Sequence, residues 1–238
     1  MAIKLEKPGQ ASKLKMLVWG PPGSGKTVFL GTAGLDPRTA PVLILDFEGG
    51  TQSLKGIDDT NIDVIRITSW QDLNDAVKLI GKENRWKTIV IDSISELHIY
   101  TLLDILDRAK GSRQDPDMLQ QGDYGKAVIQ MRRIVRTFRD MDTHLIMTAH
   151  SKQDTDPREG SIILPSMAGS VAHEIPGMLE ISAYMTLVED PKTKTRGRAL
   201  VLKNYPKIRA KCRTPYGSTI PNEIQDPTVT KLLDSLGY

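Results

Sequence analysis

The stretch GPPGSGKT, residues Gly20–Thr27, decides the fold of this chain. It follows the apolar run Leu14 to Trp19 and precedes a helix-forming sequence that begins near Lys26. Its glycines allow backbone N–H groups to curl around an anion, and the lysine beside them adds positive charge. We therefore predict a phosphate-binding loop between a buried strand and a helix. A glycine-rich turn with an incidental lysine is the alternative, and the strand and helix context argues against it.

We predict that ATP and Mg²⁺ are the cofactors of this loop. Lys26 is expected to reach the β and γ oxygens of ATP, and Thr27 to bind the metal. The sequence TIVIDS places Asp92 at the end of an apolar run, where a carboxylate that supports the metal is expected. A cap on the following turn is the alternative for Asp92. The predicted nucleotide-binding residues are Gly20, Pro21, Pro22, Gly23, Ser24, Gly25, Lys26, Thr27 and Val28.

A second acidic segment, PVLILDFEGG, ends another apolar run with Asp46 and Glu48. Hydrolysis needs a group that orients and polarises water, and Glu48 could face the γ-phosphate across the crevice between neighbouring strands. Alternatively, both acids cap the next turn.

Hydrophobic patterning predicts an α/β fold with a mostly parallel central sheet flanked by helices. The clearest helical pattern runs from Tyr124 to Met141, with Asp123 as its N-cap. We expect one domain over residues 1–238, with a core of about 14–213. The predicted buried strands are Leu14 to Trp19, Val42 to Phe47, Ile62 to Ile67, Thr88 to Asp92 and Leu145 to Ala149.

Beyond His150 the pattern changes. The polar stretch Ser151 to Glu174 predicts a long functional loop, and Gly111 to Gly122 is a second candidate mobile loop. The β-like runs Ile181 to Val188 and Arg198 to Lys203 predict a C-terminal β-hairpin.

Composition limits the cellular context. The 32 basic and 29 acidic residues give a net charge of +3, too close to neutral to identify a nucleic-acid binder. Cys212 is the single cysteine and cannot form an internal disulfide. We find no run long enough to cross a bilayer, and we expect a cytoplasmic protein without a membrane partner.

Taken together, GPPGSGKT, the acid in DFEGG, TIVIDS and the polar end of HLIMTAH resemble the RecA-like P-loop NTPase core. More closely, the chain resembles phage-encoded RecA-like ATPases that anneal single strands. The resemblance covers about Leu14 to Arg213 and leaves no room for the additional domains of RecA. It implies that Glu48 is the catalytic base and that His150, where RecA has Gln, senses the γ-phosphate. A histidine bonded in the core is the alternative for His150.

The resemblance also bears on Lys211 and Arg213, which lie on one side of an extended strand. RecA-like ATPases supply cations from such a position into the nucleotide site of a neighbouring subunit, so we expect a homo-oligomer, ring or filament. A solvated basic edge strand is the alternative.

Single-stranded DNA is the predicted partner, and a single-strand DNA-binding protein is a further candidate. A phage origin would place the protein in the cytoplasm of a bacterial host. The loops at Gly111 to Gly122, with Arg113 and Gln114, and at Ser151 to Glu174 correspond to DNA-binding loops in RecA-like proteins. A ring-forming motor or loader is the alternative, and a small-molecule kinase fits the residues less well.

The segment Lys192 to Arg213 is more basic than either loop and contains no acid. Its cations could track phosphates while Tyr205 stacks on a base, although an exposed charged hairpin would show the same composition. The basic residues are Lys192, Lys194, Arg196, Arg198, Lys203, Lys207, Arg209, Lys211 and Arg213.

Overall fold

The computed structural model describes residues 13–112, 115, 117–167, 169–189, 194, 196–213, 217 and 219–238. Within these residues the strands are β1 Lys15–Gly20, β2 Val42–Asp46, β3 Ile62–Arg66, β4 Thr88–Asp92, β5 His144–Asp156, β6 Gly160–Pro165, β7 Ile181–Glu189, β8 Arg196–Val201, β9 Lys211–Cys212 and β10 Glu223–Gln225. The α-helices are α1 Lys26–Gly31, α2 Trp70–Glu83, α3 Ile94–Ala109, α4 Gln121–Arg139, α5 Val171–Met178 and α6 Val229–Leu236. The described part of the chain has no helix with the length and hydrophobicity needed to cross a membrane.

The central sheet has the order β10-β8-β7-β1-β5-β4-β2-β3. Strands from β7 to β3 along this order pair in parallel, whereas β8 and β10 add antiparallel edges. Two further strands, β6 and β9, pair antiparallel with β5 and β7. The predicted α/β class is therefore confirmed, including the C-terminal hairpin, which is β7–β8.

Hydrophobic cores cover both faces of the sheet because successive side chains of a strand point to opposite faces. Leu17 and Trp19 of β1 pack with residues of α2, α3, α4 and α5. Met16 and Val18 pack with residues of α1 and α6 on the other face. Burial on both faces explains why the central strands are nearly continuous apolar runs. The same packing brings the carboxyl ends of β1, β2, β4 and β5 to one edge.

The structure corrects the start of the clearest helix. α4 begins at Gln121 and ends at Arg139, and its N-cap is Gln120 rather than Asp123. Asp123 lies one turn inside, where its Oδ2 accepts a hydrogen bond from the Gln120 amide at 2.9 Å. This capping-box geometry satisfies a free helix amide from within the helix, so an acid near a helix start does not by itself mark the N-cap.

The prediction of a long loop over Ser151 to Glu174 is wrong. β5 continues to Asp156, turns back into β6, and the chain then forms α5. The β5–β6 hairpin has few buried positions, chiefly Ile162, Leu164 and Pro165 of β6. Backbone pairing, rather than burial of alternate side chains, defines this hairpin. Its polar sequence therefore carries no hydrophobic pattern from which the strands could be predicted.

Two other segments complete the comparison with the sequence. In the candidate loop Gly111 to Gly122, a 3₁₀ turn ends at Ser112 and α4 starts at Gln121. Arg113 and Gln114 of that loop lie outside the described residues. β10 and α6 were not predicted; β10 is short, and α6 packs beside α1.

Candidate nucleotide site

The loop GPPGSGKT joins β1 to α1 at the carboxyl edge of the sheet. Gly23 and Gly25 have φ angles of 75° and 97°, a left-handed backbone that residues with a Cβ adopt at a cost. Ser24 between them is fully buried. The glycines are therefore needed for the curled backbone that the sequence predicts.

Lys26 folds back over this loop. Its Nζ donates hydrogen bonds to the carbonyl oxygens of Gly20 at 3.1 Å and Pro21 at 3.0 Å. Burial lowers the pKa of Lys26, and the nearby carboxylates of Glu48 and Asp92 act in the opposite direction. The ammonium group is thus positioned in the loop and faces both acids that the sequence assigned to catalysis and metal binding.

Asp92 and Thr27 are in direct contact, as the metal prediction requires. The Thr27 hydroxyl donates to Asp92 Oδ2 at 2.9 Å, and the Thr148 hydroxyl donates to Oδ1. Burial raises the pKa of Asp92, opposed by these two hydrogen bonds. The alternative role as a turn cap belongs instead to Ser93, whose Oγ accepts the Glu96 amide at the start of α3.

This donor set fits Mg²⁺. Magnesium is typically held by one or two protein oxygens together with water and phosphate oxygens. Thr27 and Asp92 supply a hydroxyl and a carboxylate beside the loop. Among the described residues there is no cluster of three or more His, Cys, Asp or Glu side chains that could hold a metal without such help. The site is therefore suited to a metal that arrives with a phosphate ligand.

The acids after β2 have different surroundings. Asp46 Oδ1 accepts the backbone amides of Glu48 at 3.0 Å and Gly49 at 2.7 Å, and it pairs with Arg66 at 3.1 Å. Asp46 is therefore the turn cap. The Glu48 carboxylate instead accepts a hydrogen bond from the Ser93 hydroxyl and lies 3.0 Å from His150 Nε2.

His150 lies between the phosphate loop and Glu48. It is level with Gly20 across the β1–β5 pair. Its backbone amide donates to Ser95 Oγ at 3.1 Å, and its ring contacts Glu48. Within the described residues, Nδ1 is buried without a hydrogen-bond partner. The ring is therefore held by the predicted base rather than by an unrelated part of the core.

Lys211 and Arg213 lie far from the phosphate loop of their own chain. In the sheet, Lys211 pairs with Ser182 of β7. Ser182 pairs in turn with Leu17, near the start of β1. Lys211 Nζ donates to the carbonyl oxygens of Pro176 at 2.8 Å and Gly177 at 3.3 Å, and Arg213 Nη2 donates to Gly177 at 3.3 Å. Both cations share one side of the strand, as predicted, and bind carbonyls near the end of α5.

The basic segment that ends at Arg213 is not a uniform patch. Arg209 pairs with Glu159 at 2.8 Å and Asp156 at 3.7 Å, both near the turn of the β5–β6 hairpin. Tyr205 is 41% exposed in a turn closed by backbone bonds with Ile208. Lys192 lies outside the described residues.

Three hydroxyl residues at the site were missed from the sequence: Ser93, Ser95 and Thr148. Ser93 contacts Glu48, Ser95 binds the His150 amide, and Thr148 binds Asp92. One signal was present for Thr148, because it precedes His150 by two residues on the same strand and so shares its face. Ser93 follows Asp92 directly and Ser95 lies two residues further on, but sequence order alone does not reveal which acid or amide each one binds.

A protein-family model described as "AAA domain" matches residues 12–214. No curated protein matches the sequence. Among solved structures, the chain is similar to the flagellar accessory protein FlaH from Methanocaldococcus jannaschii, at 13% sequence identity and a TM-score of 0.48. That alignment covers 89% of this chain and 84% of the FlaH chain. A likeness of this strength carries no inference about function.

Proposed function

This chain belongs to the AAA domain family and is a P-loop NTPase, and we propose that it hydrolyses ATP in sites shared between subunits of a homo-oligomer that acts on single-stranded DNA. The observation that supports this most strongly is the contact between Thr27 and Asp92, at 2.9 Å, beside the Lys26 ammonium. It joins the phosphate loop to a carboxylate from a different strand. A glycine-rich turn without a nucleotide role has no need of that carboxylate.

In this proposal the loop binds the phosphates through its backbone amides and Lys26. The Thr27 hydroxyl and the Asp92 carboxylate, which contact each other beside the loop, would hold Mg²⁺. The metal, when bound, would neutralise charge on the phosphate oxygens. Lys26 keeps its place because two loop carbonyls accept its hydrogen bonds.

Glu48 is the proposed general base. Its carboxylate extends from the turn that Asp46 caps to His150, which pairs with Gly20 at the start of the phosphate loop. Ser93 and His150 hold it from two sides, which keeps one oxygen available to orient a water molecule. His150 is level with Gly20, so it is the proposed link between the state of the γ-phosphate and the position of Glu48.

The shared site rests on the position of Lys211 and Arg213. Each residue of a strand adds about 3.3 Å, so the end of β1 lies about 10 Å beyond the level of Lys211. Their side chains turn toward α5 rather than toward their own phosphate loop. The proposal is that a neighbouring subunit presents its nucleotide to these cations, which neutralise charge at the transferred phosphate and make turnover depend on assembly.

The proposed DNA surface is the β5–β6 hairpin with the adjoining part of the basic segment, Tyr205 to Arg209. Ile163 donates its amide to the Lys207 carbonyl at 2.6 Å, so the two segments form one surface. Tyr205 is available to stack on a base, and Lys207 to contact phosphate. Such binding is expected to tolerate any sequence and to weaken with salt.

Fluorescence anisotropy of a labelled single-stranded oligonucleotide tests the DNA role. Protein is titrated with and without ATP and Mg²⁺, at two salt concentrations, against single-stranded and duplex probes. We expect salt-sensitive binding that strongly favours the single strand. Absence of binding in every condition would remove the DNA role and leave the nucleotide site standing.

A further inference from the structure

The β7–β8 hairpin stands beside the phosphate loop. β7 is level with the end of β1 at Tyr184, which pairs with Trp19, and then runs on to Glu189. β8 returns antiparallel, with Arg198 opposite Leu187. Along the strand direction, Arg198 therefore lies beyond the end of β1 and beside the phosphate loop that follows β1.

The side chain of Arg198 lies directly on Gly25 of that loop. A Cβ placed on Gly25 would be 2.4 Å from Arg198 Nε and 2.6 Å from its Cδ. Such distances are shorter than any ordinary contact, so the guanidinium rests against loop backbone that has no side chain to keep it away. This contact comes from a residue that the sequence groups with a basic segment assigned to DNA.

Two cations thus converge on one loop. Lys26 approaches from the loop itself, and Arg198 approaches from β8. Among the described residues, no acidic side chain pairs with the Arg198 guanidinium. The Asp226 carboxylate accepts a hydrogen bond from the backbone amide of Arg198 instead, at 3.3 Å. Two neighbouring cations repel each other, and an anion that contacts both stabilises them. A guanidinium binds phosphate well because it can donate two parallel hydrogen bonds to the phosphate oxygens.

The sheet order tells which part of a nucleotide Arg198 would face. Asp92 ends β4, His150 lies on β5 and Glu48 follows β2, and these three strands lie on one side of β1. β7 and β8 lie on the opposite side. Arg198 therefore approaches the loop from the side away from Asp92 and Glu48, where it would meet the phosphates that ATP and ADP have in common rather than the γ-phosphate.

We propose that Arg198 is a nucleotide-binding residue that holds this common diphosphate portion from within the same subunit. The inference rests on the proposed nucleotide site at the phosphate loop and extends it. Arg198 contributes to affinity for ATP and ADP alike. It leaves the chemical step to Glu48 and to the cations of the neighbouring subunit.

The test compares Arg198→Ala with Arg196→Ala, a matched loss of one exposed arginine on the same strand. Dissociation constants are measured by calorimetry for ADP and for a non-hydrolysable ATP analogue. For Arg198→Ala we expect both constants to rise about tenfold, the loss typical of one charge-assisted hydrogen bond. KM for ATP should rise equally while kcat stays within about twofold of wild type, and Arg198→Lys should recover part of the loss.

Three outcomes would overturn the inference. These are that Arg198→Ala binds both nucleotides as wild type does, that Arg196→Ala weakens binding equally, or that only the ATP analogue loses affinity. Lys26→Ala separates this failure from a failure of the site itself. If wild type binds nucleotide and Lys26→Ala does not, the nucleotide site stands, and a negative result for Arg198→Ala contradicts only the Arg198 inference. If wild type binds neither ADP nor the ATP analogue, the nucleotide site and the Arg198 inference are both wrong. Thermal unfolding without nucleotide checks that the variants are folded.

Discussion

The nucleotide site and the continuous described part of the basic segment, Arg196 to Arg213, differ in how their side chains find partners. At the nucleotide site a short motif places Lys26 and Thr27, Lys26 binds carbonyls of its own loop, and Thr27 binds Asp92 at the end of β4. In the basic segment the cations diverge, because Arg198 contacts the phosphate loop whereas Arg209 pairs with acids on another hairpin.

This difference separates two kinds of sequence signal. A motif whose residues act through backbone geometry has its role set locally, since the strand, the turn and the helix are all contiguous. A series of like charges has no such geometry. The role of each cation depends on which distant segment it contacts. Cations that are close in the sequence therefore lie in different environments in the fold.

The largest expected effect is at the motif. Lys26→Ala should weaken ATP binding by at least about 100-fold, because the ammonium is the main positive charge of the loop. A fluorescent ATP analogue titrated against the protein measures this. Lys78→Ala, which removes an exposed lysine on α2, is the control and should bind normally. Retained affinity in Lys26→Ala would mean that nucleotide does not bind at this loop.

Glu48→Gln tests the division of roles between the acids after β2. We expect turnover to fall about 10²–10⁴-fold with ATP affinity unchanged, because the amide keeps the shape of the side chain and loses its basicity. Phosphate release under saturating ATP measures turnover, and Glu83→Gln on α2 is the matched control. Normal hydrolysis by Glu48→Gln would show that the base is elsewhere.

The double variant Lys211→Ala with Arg213→Ala tests the shared site. Nucleotide affinity should remain near wild type while turnover falls on the order of 10³-fold, the effect of losing a cation supplied by a neighbour. Because both residues bind α5 carbonyls, thermal unfolding must accompany the assay. Equal loss of affinity and turnover, with a lower melting temperature, would indicate a folding defect.

Mixing variants makes this test stricter. Subunits with Lys26→Ala lack a working nucleotide site but keep both cations, and the double variant has the reverse defect. Equal mixing should recover activity up to about one quarter of wild type, the share of interfaces that join an intact site to intact cations. No recovery in oligomers shown to contain both variants would exclude a shared site.

The smallest expected effect concerns Arg209. Glu159→Gln should remove its carboxylate partner and raise affinity for single-stranded DNA on the order of threefold, with a steeper dependence on salt. Anisotropy at several salt concentrations measures both quantities. Lys207→Ala should weaken binding more than Arg209→Ala, since Arg209 is already paired with acids. The opposite ranking would show that the acids do not neutralise Arg209.

The fold was predictable to the extent that burial controls it. The strands β1, β2 and β4 were found within one residue of their ends because they are buried on both faces, with Thr88–Asp92 as predicted. The β5–β6 hairpin was missed because it is polar and its structure depends on pairing between Thr155 and Ser161 and their neighbours. Hydrophobic patterning carries no signal for such a pair.

The candidate site was predictable in its members more than in its contacts. The sequence assigned the role of base to Glu48 but left open that both acids cap the next turn, and the structure shows that Asp46 caps the turn while Glu48 reaches His150. Likewise, Ser93 and Thr148 were not recognised as partners of the two carboxylates. These are contacts between separate strands, and their geometry follows from register.

By itself the sequence determined the phosphate loop, the α/β class and the acids available at its edge, because these follow from contiguous residues and from the periodicity of burial. Tertiary structure alone decided that Glu48 and Asp92 both lie near Lys26, that Arg209 is paired with acids and that Arg198 meets Gly25. Those outcomes depend on distances between atoms that are remote in the chain. Electrostatic and hydrogen-bonding energies fall steeply with such distances, so they become defined only when the sheet has brought the segments together.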